Sequence, residues 1–541
     1  MRRNLEIPQG KRTKLYRFFE ILPGLLSYGA IILLFVLSWF SPVLGAIYLF
    51  IIIASTLVKA IGVAYRTVQG YEVIKRASRV DWRARNEDLE NPHDAFERLH
   101  DEDSKSYHFN EHVENLKLMA AMGKEYPDPK KTLHVVIMTA YDEGREILAP
   151  SIEAVKATTF PNERIIFVLA YEERGGEAME NLAKDLAREY KDTFKAFLLS
   201  KHPANITSEV IGKGPNLTFA GHMVAEYFKK HHLPVENTIV TSLDSDNHMA
   251  PKYLDSVAYE FITHSNRQRL SYQPVSLFMN NIWDAPAPSR IIAVSNSFFN
   301  VITTMRPHVL RNFASHSQPL QALEAMDFWS KRTIVEDGHQ YWRSLFFFSG
   351  DYNVLPIRIP IYQDAVIDET LWKTIKAQFI QVRRWDYGAS DVAYVGTKLF
   401  VRKSRRMMPF WQLWPKFWRL LDGHVTLAIM APIVAFGGWV PMIMNVSSHN
   451  MVAYNLPNIV SVIETVASIG LIITVLVSFR MLPPRPAKYR KGKSLSMLLQ
   501  WILMPITSIL YQSIAAFYAQ TRLMLGLYME KFDVTKKFVK K

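Results

Sequence analysis

The chain holds 541 residues, too many for one ordinary domain, and mixes 49% apolar and 12% aromatic residues with 21% charged ones, which implies a membrane part joined to a water-facing part. The absence of cysteine excludes disulfides, thiolate metal sites and a cysteine nucleophile. A net charge of +14, from 64 Lys and Arg against 50 Asp and Glu, lies largely beside apolar segments and so favours anionic headgroups and phosphorylated substrates over nucleic acid.

Arg2, Arg3, Lys11, Arg12, Lys14 and Arg17 precede an apolar run from Ile21 to Phe40. The run is too long for a signal-peptide core, has no small-residue cleavage site, and is followed at once by a second run from Val43 to Ala64. Each is long enough to cross ~30 Å of hydrocarbon. Only Ser41-Pro42 separates them, so residues 1–66 are expected to form a transmembrane hairpin with a cytoplasmic N-terminus. Residues 67–130 are highly charged and are expected to form a helical linker.

An α/β pattern occupies 131–400. His134 to Met138 reads as a strand ending in Thr139-Ala140-Tyr141-Asp142-Glu143-Gly144, followed by a helix over 146–157. Further strands are expected at 164–170, 195–199 and 238–243, with helices at 176–193 and 217–231. Alternating strands and helices imply an α/β fold with a mostly parallel sheet that binds its ligand at the strands' carboxyl ends.

Residues 401–422 mix Arg402, Lys403, Arg405 and Arg406 with Trp411, Trp414 and Trp418, which fits an amphipathic helix in the headgroup layer. Spans are expected near 424–445 and 457–479, within a membrane segment 423–480. Their connection, 446–456, has no Lys or Arg and belongs outside, whereas Arg480, Arg485, Lys488, Arg490, Lys491 and Lys493 belong inside. Glu464, costly in lipid, faces a protein-lined or wet path or pairs with a neighbouring helix. The segment 481–530 holds this basic loop and the apolar stretch 496–528, with Pro505 and Arg522. One full crossing there would put the basic tail 531–541 outside. An interfacial or re-entrant helix is therefore expected, two short crossings being the other way to keep the tail inside.

Four constellations carry chemistry. Asp244 and Asp246 follow the run 238–243 and bring two carboxylates to a sheet edge, where they suit a hard divalent cation and, through it, a diphosphate. Gly212-Lys213-Gly214 precedes a helix and is suited to approaching a phosphate. Glu336-Asp337-Gly338 offers a base, and Gln381-Val382-Arg383-Arg384-Trp385 adds cations and an apolar face for a sugar ring. A cation clamp, cationic side chains and a proton acceptor are what glycosyl transfer from a nucleotide sugar needs.

In these motifs the chain resembles the membrane-integrated, processive family 2 glycosyltransferases, the group of bacterial cellulose synthase, chitin synthase and hyaluronan synthase. That family is marked by Asp-x-Asp, a Thr/Glu-Asp dyad and Gln-x-x-Arg-Trp, here Asp244-Ser245-Asp246, Glu336-Asp337 and Gln381 to Trp385. Phe532-Asp533-Val534-Thr535-Lys536-Lys537 further fits the Phe-x-Val-Thr-x-Lys gating loop of the cellulose synthases. The resemblance implies a GT-A type domain inserted between transmembrane helices, with both termini cytoplasmic. Asp244 and Asp246 would hold Mg²⁺ or Mn²⁺, and Asp337 would be the general base with Glu336 beside it. Gln381, Arg384 and Trp385 would line the site, Gln381 on the donor, Arg384 on its diphosphate and Trp385 on the acceptor's terminal sugar. Thr139, Tyr141 and Glu143 stand where the family contacts nucleobase and ribose, and Thr535 and Lys537 would reach the nucleotide as the loop closes. The second strand departs from the family, ending in Glu172-Glu173 where an aspartate usually holds uracil, so a uridine donor is less secure than the transfer itself. The implied activity is inverting, processive hexosyl transfer from a nucleotide sugar to a growing β-linked glycan carried through the bilayer. The alternative is a non-processive enzyme that adds one sugar to a lipid or short glycan. Nucleic acid is not an expected partner.

Overall fold

Near-continuous apolar runs mark strands that are covered on both faces. In the computed structural model, which describes residues 5–123, 126–401, 406–446, 451–490, 492–531 and 533, they form β1 (Leu133–Ala140), β2 (Ile165–Glu172), β3 (Ala196–His202) and β4 (Thr238–Asp244). Alternate residues of β1 face opposite layers, as a period of two requires. Val136 and Met138 join one core with Leu148, Ile152 and Leu186, while Val135 and Ile137 join another with Leu217, Val224 and Phe228. Helices Arg145–Lys156 and Gly176–Glu189 thus cover one face and helix Lys213–His231 the other.

The four strands are parallel in the order β3-β2-β1-β4. Their register sets Thr139 opposite both Ala170 and Asp244, so three carboxyl ends finish side by side. The sheet continues beyond the expected strands through β7 (Ser317–Pro319), β6 (Leu270–Leu277), β8 (Asn353–Tyr362) and β5 (His248–Met249), eight strands in all. Three of these additional pairings are antiparallel, but four of the sheet's seven are parallel and form the long ladders, so the sheet is mixed and mostly parallel, as expected. Proline explains why these strands escape a pattern reading. Pro274 stands at a register shift in β6, and Pro356 and Pro360 interrupt β8, where each removes a ladder donor.

Among the described residues, four helical runs are long and apolar enough to cross a membrane: Lys14–Phe40, Pro42–Arg79, Phe410–Met444 and Gly492–Leu525. A further helix, Met451–Met481, covers the span expected at 457–479. The second helix of the hairpin does not stop at 66. It runs for 38 residues, and its basic end enters the segment expected as linker, with Gly70 packed on Val301. Nor is 401–422 a separate helix. Trp411, Trp414 and Trp418 belong to one helix, Phe410–Phe436, that continues into apolar sequence, because Gly423 costs only about 1 kcal/mol and cannot end it. The last run bends through a 3₁₀ turn at Gln500–Leu503 and a π turn at Ser508–Ser513. Its early residues Met497 and Trp501 pack with Val275 and Ala293, and its late residue Leu523 packs with Ile334 and Tyr387, so both ends meet the α/β domain.

Candidate active site

A cavity of about 580 Å³ opens at the carboxyl ends of β1, β2 and β4. Thr139, Tyr141, Glu143, Lys213, Asp244, Asp246, Glu336, Asp337, Gln381, Arg384 and Trp385 all line it. Residues more than 240 positions apart in the chain therefore share one space. Thr535, Lys537 and the side chain of Glu464 lie outside the described residues.

The centre is an acid–lysine cluster. Lys213 Nζ lies 2.7 Å from Asp244 Oδ1, 3.0 Å from Asp337 Oδ2 and 3.8 Å from Glu336 Oε1. Lys213 begins its helix, and Gly214 is required beside it. A Cβ on Gly214 would stand 2.4 Å from the Ser330 carbonyl oxygen and 3.1 Å from Glu336 Cβ, so only glycine lets the helix start approach the dyad. Glu336 and Asp337 open helix Glu336–Phe347, where the helix dipole favours negative charge. Lys213 bridges the three acids, which hold its proton far more tightly than a free lysine.

The two acids of the dyad differ. Glu336 is buried, its Oε2 has no hydrogen-bond partner among the described residues, and its pKa is pushed up to about 8, by burial first and by the Asp337 charge second. Both causes favour its protonated form. Asp337 faces the cavity with both oxygens within 3.3 Å of Lys213 Nζ. His316, which no spacing pattern marks, lies behind it, Nδ1 3.7 Å from Asp337 Oδ1. His316 is assigned as the neutral Nδ1–H tautomer, since that nitrogen meets the Phe313 carbonyl at 2.9 Å while Nε2 accepts from the Trp329 indole at 3.4 Å. Burial lowers its proton affinity in the same sense.

At the sheet edge Glu143 has a structural task. Its carboxylate accepts from the Tyr141 N–H at 2.7 Å and from the Ser245 hydroxyl at 2.9 Å, pinning the loop after β1 to the Asp244-Ser245-Asp246 turn. Glu172, at the end of β2, lines the same cavity and pairs with Arg174, whose guanidinium lies over the Tyr141 ring at 5.0 Å. Asn216 Nδ2 donates to the Ala170 carbonyl at 2.9 Å, tying the lysine helix to β2. Tyr141, Glu172 and Asn216 thus line the cavity together at this edge.

Gln381, Arg384 and Trp385 come from helix Leu371–Asp386. Gln381 accepts from Gln378 at 3.0 Å, and the Trp385 ring packs at 6.1 Å from Phe278. The tail reaches this helix. Arg383 pairs with the Asp533 carboxylate, and Arg384 Nη1 donates to the Asp533 carbonyl at 3.1 Å. Just before it, the Ile211 N–H donates to the Glu530 carbonyl at 3.1 Å and the Met529 N–H to Tyr387 Oη at 3.1 Å. Tail residue Tyr528 is fixed in turn to the N-terminal helix, its hydroxyl 3.1 Å from Glu20 Oε2 in a buried cluster with Arg12 and Arg17.

No ready-made cluster of three or more His, Asp or Glu side chains for a metal occurs among the described residues. The donor chemistry at Asp244 and Asp246 nevertheless fits a hard cation. Two carboxylates one residue apart present oxygen to the cavity, leaving the other positions for phosphate and water oxygens, as Mg²⁺ and Mn²⁺ sites at diphosphates do.

No protein-family model and no curated protein matches the chain. Among solved structures, the mannosyltransferase PcManGT from Pyrobaculum calidifontis, in complex with GDP-Man and Mn²⁺, aligns with 13% identity and a TM-score of 0.41, covering 81% of this chain and 99% of its own. A fragment of S. aureus TarS in complex with UDP aligns with 8% identity and a TM-score of 0.32, covering 74% and 94%. At these similarities the chemistry has to be read from the site itself.

Proposed function

We propose that the chain is an inverting glycosyltransferase of GT-A type that moves a sugar from a nucleoside diphosphate sugar to a hydroxyl acceptor at this cavity. The observation that carries the reading is the convergence of the four constellations on one space, with a base candidate, Asp337, across Lys213 from Asp244. The nucleoside end is read at Tyr141, Glu172 and Asn216, with a uridine donor as the expectation. Asp244 and Asp246 hold the Mg²⁺ or Mn²⁺ and Arg384 the diphosphate. The bound cation supplies charge neutralisation for the departing diphosphate. Asp337 takes the proton of the attacking hydroxyl, and a single in-line attack with one base inverts the anomeric centre. Glu336, protonated, adds no further negative charge beside the donor.

Two observations support membrane-coupled synthesis. The cavity wall extends to Gly423, His424 and Leu427 on helix Phe410–Phe436, and four helical runs are long and apolar enough to cross a bilayer. The reading is a processive enzyme that extends a β-linked glycan and passes it outward, with the α/β domain and both termini cytoplasmic and the 492–525 run re-entrant or interfacial. The tail at Asp533 serves as a lid over Arg384. Feeding radiolabelled UDP- and GDP-sugars to the purified full chain tests this. Long polymer is the expected product, whereas a single-addition product assigns the non-processive activity instead.

Two substitutions probe opposite ends of the site. Asp246→Asn is expected to lower turnover by about 10²–10³-fold at saturating Mn²⁺, the size of a lost charge clamp. A rate equal to wild type would remove Asp246 from the cation site. Trp385→Ala removes the aromatic face for the acceptor and is expected to raise the acceptor KM about tenfold with a smaller change in kcat. An unchanged acceptor KM would place the acceptor elsewhere.

A further inference from the structure

The cavity does not end at the acid–lysine cluster. Its far end is lined by Arg311, Arg419 and His424. Arg419 is exposed there, and Phe299, on the same wall, is 47% exposed, so this end opens sideways to the surface. Arg311 from the loop after helix Ala287–Thr304 and Arg419 from helix Phe410–Phe436 line this end, and Arg66 on helix Pro42–Arg79, Arg306 and His308 lie within electrostatic reach of Arg419 or of one another.

Cations crowd this mouth. His308 is held below the usual imidazole range by desolvation and then by Arg306, Arg419, Arg66 and Lys416. Among the described residues, the guanidinium groups of Arg306, Arg311 and Arg419 make no hydrogen bond and no ion pair. Arg311 has only an aromatic neighbour, the Trp342 ring at 5.9 Å. The acid that faces Arg311 most closely, Asp391, is engaged with His339 Nδ1 at 2.6 Å. Asp422, further along the tryptophan helix, stands 4.0 Å from Lys59. Lys416 Nζ donates to Tyr341 Oη at 3.0 Å. Like charges gathered with only the already engaged Asp391 facing them raise the energy of the folded state, and a bound anion would relieve it.

The surroundings state what carries that anion. Trp411 and Trp418 are 78% and 56% exposed on the helix that bears Lys416 and Arg419, and interfacial tryptophan with basic residues marks a headgroup layer. Arg66 follows directly on an apolar span. We propose that this lateral mouth binds the phosphate group of an anionic lipid in the adjoining leaflet, with Arg306, Arg311 and Arg419 on the phosphate and Phe299 and Trp418 against the acyl chains. Free phosphate would satisfy the same guanidinium groups, but only a lipid also covers the exposed apolar rim. The site stands on its own geometry and does not depend on the glycosyl-transfer reading.

The test uses the full chain in phosphatidylcholine nanodiscs with photoactivatable phosphatidylglycerol or photoactivatable phosphatidylcholine as probe, and inorganic phosphate as competitor. Phosphatidylglycerol is expected to label peptides around 299–311 and 416–424 in preference to phosphatidylcholine. Arg306→Glu with Arg419→Glu should lower that labelling at least about tenfold and leave phosphatidylcholine labelling unchanged. Arg419→Gln alone, on an exposed position, should give a partial loss and serves if the double variant does not fold. Equal labelling by the two lipids, indifference to the charge changes, or full displacement by inorganic phosphate would each overturn the proposal. Donor turnover on the same samples separates the two readings. Lost lipid contrast with turnover intact sinks only the lipid site, and absent turnover with contrast intact sinks only the enzyme.

Discussion

Asp337→Asn is expected to lower glycosyl transfer by about 10³-fold, within the range of a lost general base, while donor binding persists. The asparagine fills the same volume and keeps a hydrogen bond to Lys213, whose Nζ stands 3.0 and 3.3 Å from the two carboxylate oxygens. What it loses is the capacity to take a proton. Glu336→Gln provides the contrast. Burial and the Asp337 charge push the pKa of Glu336 up and favour its neutral form, which glutamine reproduces. Its transfer rate is expected to stay close to wild type. Initial rates of both variants at saturating donor decide the matter, and the reverse ranking would assign the base to Glu336.

Lys213→Met is expected to cost about 3 kcal/mol of folding stability, the low end for breaking a buried ion pair. The ammonium is 9% exposed and serves Asp244 and Asp337 at once, so its removal leaves two carboxylates facing each other without a cation. The low end applies because Asp244 and Asp337 keep 31% and 19% exposure and are partly solvated. A fall of several degrees in thermal unfolding checks this. Added Mn²⁺ should recover part of the loss, since a ligand that binds only the folded state stabilises it in proportion to its occupancy. An unchanged melting temperature would mean that the lysine does not hold the cluster together.

Much of this site is legible in the residues because strand and motif signals coincide. The run Thr238 to Leu243 ends at Asp244, so one pattern located both a strand and a carboxylate at its edge. Lys213 announced a helix start through its flanking glycines, but not its role. Nothing local says that the chain folds Ser330 and Glu336 against Gly214 and so brings acids to the lysine. Glu143 reads as a ligand contact by position, and its hydrogen bonds to Tyr141 and Ser245, which fasten the loop, are not legible in the residues. His316 and Arg311 were illegible because a lone histidine or arginine in irregular sequence has no period to betray it. Half of the sheet was hidden for the reason that Pro274, Pro356 and Pro360 give: strands that break the ladder also break the pattern.

The tail joins these levels. Asp533 meets Arg383 and Arg384, and Tyr528 meets Glu20 on helix Lys14–Phe40, so residues 528–533, the cavity and the first apolar helix are connected.

The central claim is that this cavity transfers a sugar from a nucleotide donor. The most direct measurement is nucleoside diphosphate release from a panel of UDP- and GDP-sugars by the purified full chain with Mg²⁺ or Mn²⁺, run beside Asp337→Asn. Turnover with at least one donor, lost about 10³-fold in the variant, is the predicted result. Release that is equal in both proteins, or absent with every donor, would contradict it.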